Sequence, residues 1–194
     1  VLYEALRFQP GLRVCLNSSA HAARVDDGRV RNVSAIQLTT QKRIEVEAAF
    51  FVDCSGDGVT APLAGAECRM GREGREEFGE SLAPEEADNK TMGMSCMFFG
   101  RQTDSPQPFT PPPWAYTFDS LDDLPYRRPH RLTYGYWWIE LGGDRDSIGD
   151  TEAVRDELLK VVLGIWDHLK NGGDYGADNW VLDWLQFLPA KRES

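Results

Sequence analysis

The residues best placed by type and spacing to do chemistry lie between Asp53 and Gly65. They are Asp53-Cys54-Ser55-Gly56-Asp57-Gly58, followed by Val59-Thr60-Ala61-Pro62-Leu63-Ala64-Gly65. Glycines at 56 and 58 strip side chains from the main chain, so a flat or charged ligand can approach the backbone closely. A short helix after them offers amide N–H groups and the positive end of its dipole. Asp57 would repel a phosphate, so its chemistry is to accept hydrogen bonds, from sugar-type hydroxyls or from backbone amides. A tight strand-to-helix turn, with the Asp acting only as a cap, accounts for the same residues.

Other arrangements exclude themselves. Asp53 to Gly58 lacks the regular acidic ligands and closing Glu of a calcium loop. Position 53 is Asp, so Ser55 is not the serine of a G-x-S-x-G elbow. Cys15, Cys54, Cys68 and Cys96 form no C-x-x-C pair and have no His at zinc-ligand spacing, which predicts buried free thiols and no metal. His21, His130 and His168 are isolated, as surface or packed imidazoles are. Arg127, Arg128 and Arg131 could grip a substrate carboxylate or form a solvated loop. Tyr134, Tyr136, Trp137 and Trp138, with Trp180 and Trp184, could stack on a sugar or pack a core.

The elements that must position the glycine run are legible in the hydrophobic period. Leu2, Ala5, Leu6 and Phe8 have helical spacing up to Pro10-Gly11. Leu12, Val14 and Leu16 alternate. Asp26-Asp27-Gly28 then signals a hairpin between Ala22–Val25 and Val30–Leu38, and a second turn at Thr39–Lys42 leads to the alternating Arg43–Glu47. This predicts a three-stranded antiparallel meander. Ala48–Val52 is continuously apolar, as a strand covered on both faces is. Strand, glycine turn and helix bring a ligand to the carboxyl edge of an α/β sheet.

Beyond a charged stretch, Met92–Gly100 and Tyr134–Leu141 read as strands, separated by five prolines between Thr103 and Pro113. Val154, Leu158, Val161, Val162, Ile165, Trp166 and Leu169 line one face of a long helix between Asp150 and Asn171-Gly172-Gly173. A last apolar segment runs from Trp180 to Leu188.

Composition narrows the partners. The 194 residues carry 31 acidic against 21 basic side chains, a net charge of -10, which argues against nucleic acid. No apolar run approaches the roughly 20 residues of a membrane span, and no signal peptide is present, so a soluble chain is expected in a compartment the sequence does not reveal.

Val52-Asp53-Cys54-Ser55-Gly56-Asp57-Gly58, followed by Ala64-Gly65-Ala66, resembles the second flavin-site motif of FAD-dependent oxidoreductases, an apolar strand ending in Ala-Thr-Gly-Asp. Cys54 stands for the Ala and Ser55 for the Thr. The meander and the strand after it are similar to that family's crossover. Lys191-Arg192-Glu193-Ser194 resembles the opening of a Lys-Arg-Glu-Ser-Arg-Arg segment of one bacterial group, where the chain returns toward the flavin. The resemblance covers most of the chain in order, but only Phe50 to Gly65 is specific. It implies FAD as cofactor, hydride transfer with a small organic substrate, and cofactor contacts at Cys54, Ser55, Gly56, Asp57 and Gly58, with Arg192 as a further one. Asp57 would then accept from ribityl hydroxyls. The dinucleotide fingerprint G-x-G-x-x-G is absent from these residues, so the chain reads as an internal segment of a larger Rossmann-type enzyme, weak or inactive toward FAD alone.

The fold expected is mixed α/β. Residues 1–68 form a meander and part of a nucleotide-binding sheet, residues 69–90 a charged connector, and residues 91–194 an α+β cap or substrate region with one long helix. A non-enzymatic module binding carbohydrate through the aromatic strand is the alternative, and an interaction domain without ligand a third. Catalytic residue and oligomeric state are not legible.

Overall fold

A computed structural model describes residues 1–120, 123, 132 and 139–192. The chain divides into two compact units, Val1–Arg69 and Met70–Ser194.

The first unit opens with helix α1 (Leu2–Arg7), which buries none of its residues. Leu12 to Leu16 form no strand despite their alternation. The chain turns at Asn17, whose φ is 54°, into β1 (Ser18–Asp26). Asp27 and Gly28 take φ of 48° and 67°, the paired left-handed geometry of a two-residue hairpin loop, and lead into β2 (Arg29–Gln37). A turn through Gln41, also left-handed, starts β3 (Lys42–Glu47). The sheet has the order β1-β2-β3, all antiparallel, with Val25 opposite Val30 and Ala35 opposite Ile44. This is the expected meander.

The expected strand at Ala48–Val52 does not form. The segment pairs with nothing, and Phe50 and Val52 are 88% and 85% exposed. A strand exists only through its neighbours' hydrogen bonds, and this unit supplies no second sheet beside it. The nucleotide-binding sheet is therefore not seen. Helix α2 (Thr60–Leu63) follows, ends at Gly65 with φ 73°, and lies against β1. Asn32 is the unit's one buried residue.

The second unit starts with a loop closed by Arg72 and Asp88. Their amides and carbonyls bond reciprocally at 2.9 and 3.0 Å, and their side chains form an ion pair. Inside that loop lies α3 (Arg75–Phe78), stopped by Gly79. The strand expected over Met92–Gly100 is broken into β4 (Met94–Ser95) and β5 (Phe98–Gln102). The reason is pairing. β4 pairs with β6 (Glu140–Leu141), whereas β5 pairs with β7 (Trp180–Leu185), both antiparallel. Residues 103–113 take no regular structure, since their prolines lack amide donors.

Helix α4 (Thr151–Asn171) carries the core. Val154, Leu158, Val162, Ile165, Trp166 and Leu169 bury their side chains against Met94, Cys96, Phe98 and Ile139. Each such side chain contributes about 1.5–3 kcal/mol of apolar burial. The Trp166 ring meets Phe98 edge to face, centroids 5.6 Å apart. Among the described residues, no helix is long and apolar enough to cross a membrane.

Candidate functional site

The glycine loop is organised by one carboxylate. Asp53 Oδ1 accepts the Ser55 amide at 2.8 Å, and Oδ2 accepts the Thr60 amide at 2.7 Å together with the Thr60 hydroxyl. Ser55 Oγ in turn accepts the Val59 amide at 2.9 Å. Hydrogen bonds from the Ser55 and Thr60 side chains, and then from their amides, hold the Asp53 carboxyl far below the ordinary carboxylate range. The segment 53–60 is thus a ring of local bonds around an exposed anion.

Within that ring Gly56 and Gly58 adopt φ of 86° and 62°. A Cβ added at either would meet nothing within 4 Å, so the space where a side chain would project is open. Cys54 and Ser55 are exposed, whereas Asp57 is half-buried. All five sequence-predicted residues from 54 to 58 therefore sit on one short loop.

The start of α2 does not offer the free amides expected of it. The amide of Val59 goes to Ser55, that of Thr60 to Asp53, and that of Ala61 to the Gly58 carbonyl at 3.0 Å. The Asp53 carboxylate thus already accepts at the start of α2. The organising role of Asp53 was not expected, although an Asp two residues before a Ser, with a Thr at the helix start, is its sequence signal.

Arg192, in the second unit, pairs through Nη1 with Glu140 Oε2 at 3.1 Å. Its neighbours Glu193 and Ser194 lie outside the described residues, as do His130, Arg127, Arg128, Arg131 and the aromatic run 134–138. Of the remaining aromatics, Trp180 packs on the core, and Trp184 stacks on Phe99 with centroids 4.8 Å apart.

All four cysteines are free, but only Cys96 is buried. Cys15, Cys54 and Cys68 belong to a unit with too few layers to cover them. Burial pushes the Cys96 thiol up to about 11, against the opposing pull of the Arg155 charge. His168 is buried, with Nδ1 2.7 Å from the Phe118 carbonyl and Nε2 2.9 Å from the Tyr175 hydroxyl. A carbonyl only accepts, so Nδ1 carries a proton and donates it to Phe118. This imidazole is packed, as one of its two expected roles allows.

The second unit also holds a cavity of about 340 Å³ lined by Tyr116, Leu141, Arg145, Val154, Glu157 and Val161. Lys160 and the Tyr116 hydroxyl both bond the Glu157 carboxylate and lower its pKa. Its acid is therefore already engaged by its neighbours. Among the described residues, no group of three or more His, Cys, Asp or Glu side chains is placed to hold a metal ion.

These features define a mixed α/β protein with antiparallel sheets, few helices and an open glycine loop fixed by its own carboxylate. The family model for FAD dependent oxidoreductases matches residues 1–194, and the chain belongs to that family. Comparisons with curated proteins and with solved structures found no match.

Proposed function

We propose that this chain forms part of an oxidoreductase moving hydride between a small organic substrate and FAD, and that residues 54–58 contact the cofactor. Bound FAD supplies the redox chemistry. The chain's own part is to present bare main chain at Gly56 and Gly58, with Asp57 accepting from hydroxyls of the cofactor. Arg192, which pairs with Glu140 in the second unit, is proposed separately as a cofactor contact on the resemblance of the Lys191-Arg192-Glu193-Ser194 segment. With no G-x-G-x-x-G in these residues, the 194-residue chain alone binds FAD weakly and is inactive.

The observation that carries this reading is the open space beside the left-handed glycines of the loop. The family match supports the cofactor's identity. The test is to purify the full-length protein and its Gly56→Val variant and titrate each with FAD. The unmutated protein should hold the flavin. The variant should bind on the order of tenfold more weakly, because a β-branched residue is strained at positive φ and fills the approach. Equal affinity in the two proteins contradicts the assignment.

A further inference from the structure

We infer that Asp53 is a positioning residue for the cofactor loop, setting the path of residues 55–60 without touching the ligand itself. The inference rests on the proposed flavin contact at 54–58. Its basis is that both oxygens of one carboxylate are occupied within the loop. Oδ1 fixes the amide two residues on, and Oδ2 fixes the amide and hydroxyl seven residues on. The segment between is thereby closed at both ends. Ser55 adds a strut to Val59, so its hydroxyl oxygen works within the loop. Closing the ring leaves Gly56 and Gly58 in left-handed conformations, with open space on the side where a Cβ would project.

The charge matters as well as the geometry. Asp53 places a fixed anion at the start of α2, so an anionic group of the cofactor is turned away from that end. Hydroxyl-bearing or uncharged portions are the chemistry that suits the loop. A neutral Asn can satisfy only one of the two ends, since its second terminal atom is a donor.

The experiment uses the full-length protein with FAD as the probe. Wild type, Asp53→Asn, Thr60→Val and Thr60→Ser are compared by FAD titration and by amide hydrogen exchange at residues 55, 59 and 60, with circular dichroism to confirm folding. Asp53→Asn should weaken FAD binding about tenfold and speed exchange at 55 or 60, as loss of charge-assisted bonds does. Thr60→Val should lie between it and wild type, and Thr60→Ser should restore wild-type values. If Asp53→Asn does not fold, the two Thr60 variants carry the comparison. Unchanged FAD affinity alongside faster exchange overturns the positioning role while leaving the flavin reading intact. A wild-type protein that binds no FAD overturns the flavin reading, and the inference falls with it.

Discussion

The environments of single side chains in this protein differ enough to separate chemically similar residues. Cys54 and Cys96 are both free thiols, yet one sits on an open loop and the other among the core side chains around α4. Thiolate is the reactive form, so burial that raises the Cys96 pKa to about 11 protects it twice, through charge and through access. Alkylation of the folded protein at pH 8 should therefore label Cys15, Cys54 and Cys68 and spare Cys96 until denaturant is added; peptide mapping by mass spectrometry reads this directly. Asp88 gives a pH-dependent counterpart. The hydrogen-bonded Arg72 guanidinium lowers its carboxyl from 3.8 to about 2. Because the folded value is depressed, the clamp's contribution is complete above 3.8 and is lost as pH falls through about 2. An NMR titration of Asp88 should show that midpoint, and Arg72→Ala should return it toward 3.8. At this scale the sequence was informative where chemistry is local. Glycine spacing marked the stretch from Asp53 to Gly65, and the resemblance to the flavin-site motif implied residues 54–58 as contacts, but the role of Asp53 depends on which amides its oxygens reach, a matter of loop path. Whether a thiol is buried depends on layers that no single residue reveals.

Elements were legible in proportion to how much of their stability is internal. The meander's hairpin follows from Asp27-Gly28, whose left-handed conformations are a property of those residue types. Helix α4 satisfies its own backbone and shows its buried face in the 3.6-residue period. Strand formation is different. Phe50-Phe51-Val52 has the composition of a buried strand but no neighbour in its unit to pair with, and Met92–Gly100 splits because its halves find different partners. Neither outcome is encoded in the segment itself. Within α4, Gly164 offers a test of packing against propensity. Alanine normally stabilises an exposed helix position relative to glycine by about 1 kcal/mol. Here an added Cβ would collide with the carbonyl of Tyr116, whose amide bonds Lys160 at 3.2 Å on the same helix. Gly164→Ala should thus destabilise by roughly 1–3 kcal/mol, the usual cost of overpacking. Leu158→Ala, which empties a fully buried site, should cost about 2–5 kcal/mol. Urea unfolding followed by tryptophan fluorescence measures both, and a stabilised Gly164→Ala variant contradicts the packing described.

At the scale of the whole molecule, apolar burial is concentrated in one of the two units. The second unit contains the cluster around Trp166, while the first, which carries the glycine loop, buries only Asn32. The loop's order is therefore a product of its own hydrogen bonds and not of a core beneath it. Within eight residues a carboxylate, two hydroxyls and two left-handed glycines supply that local order. Membership of the FAD-dependent oxidoreductase family covers both units. The proposed cofactor contact is with the main chain of Gly56 to Gly58. Amide hydrogen exchange of the full-length protein, with and without saturating FAD, tests it most directly. The account predicts slower exchange across residues 56–58 when flavin is bound. A protein that binds FAD while these amides exchange at an unchanged rate contradicts it.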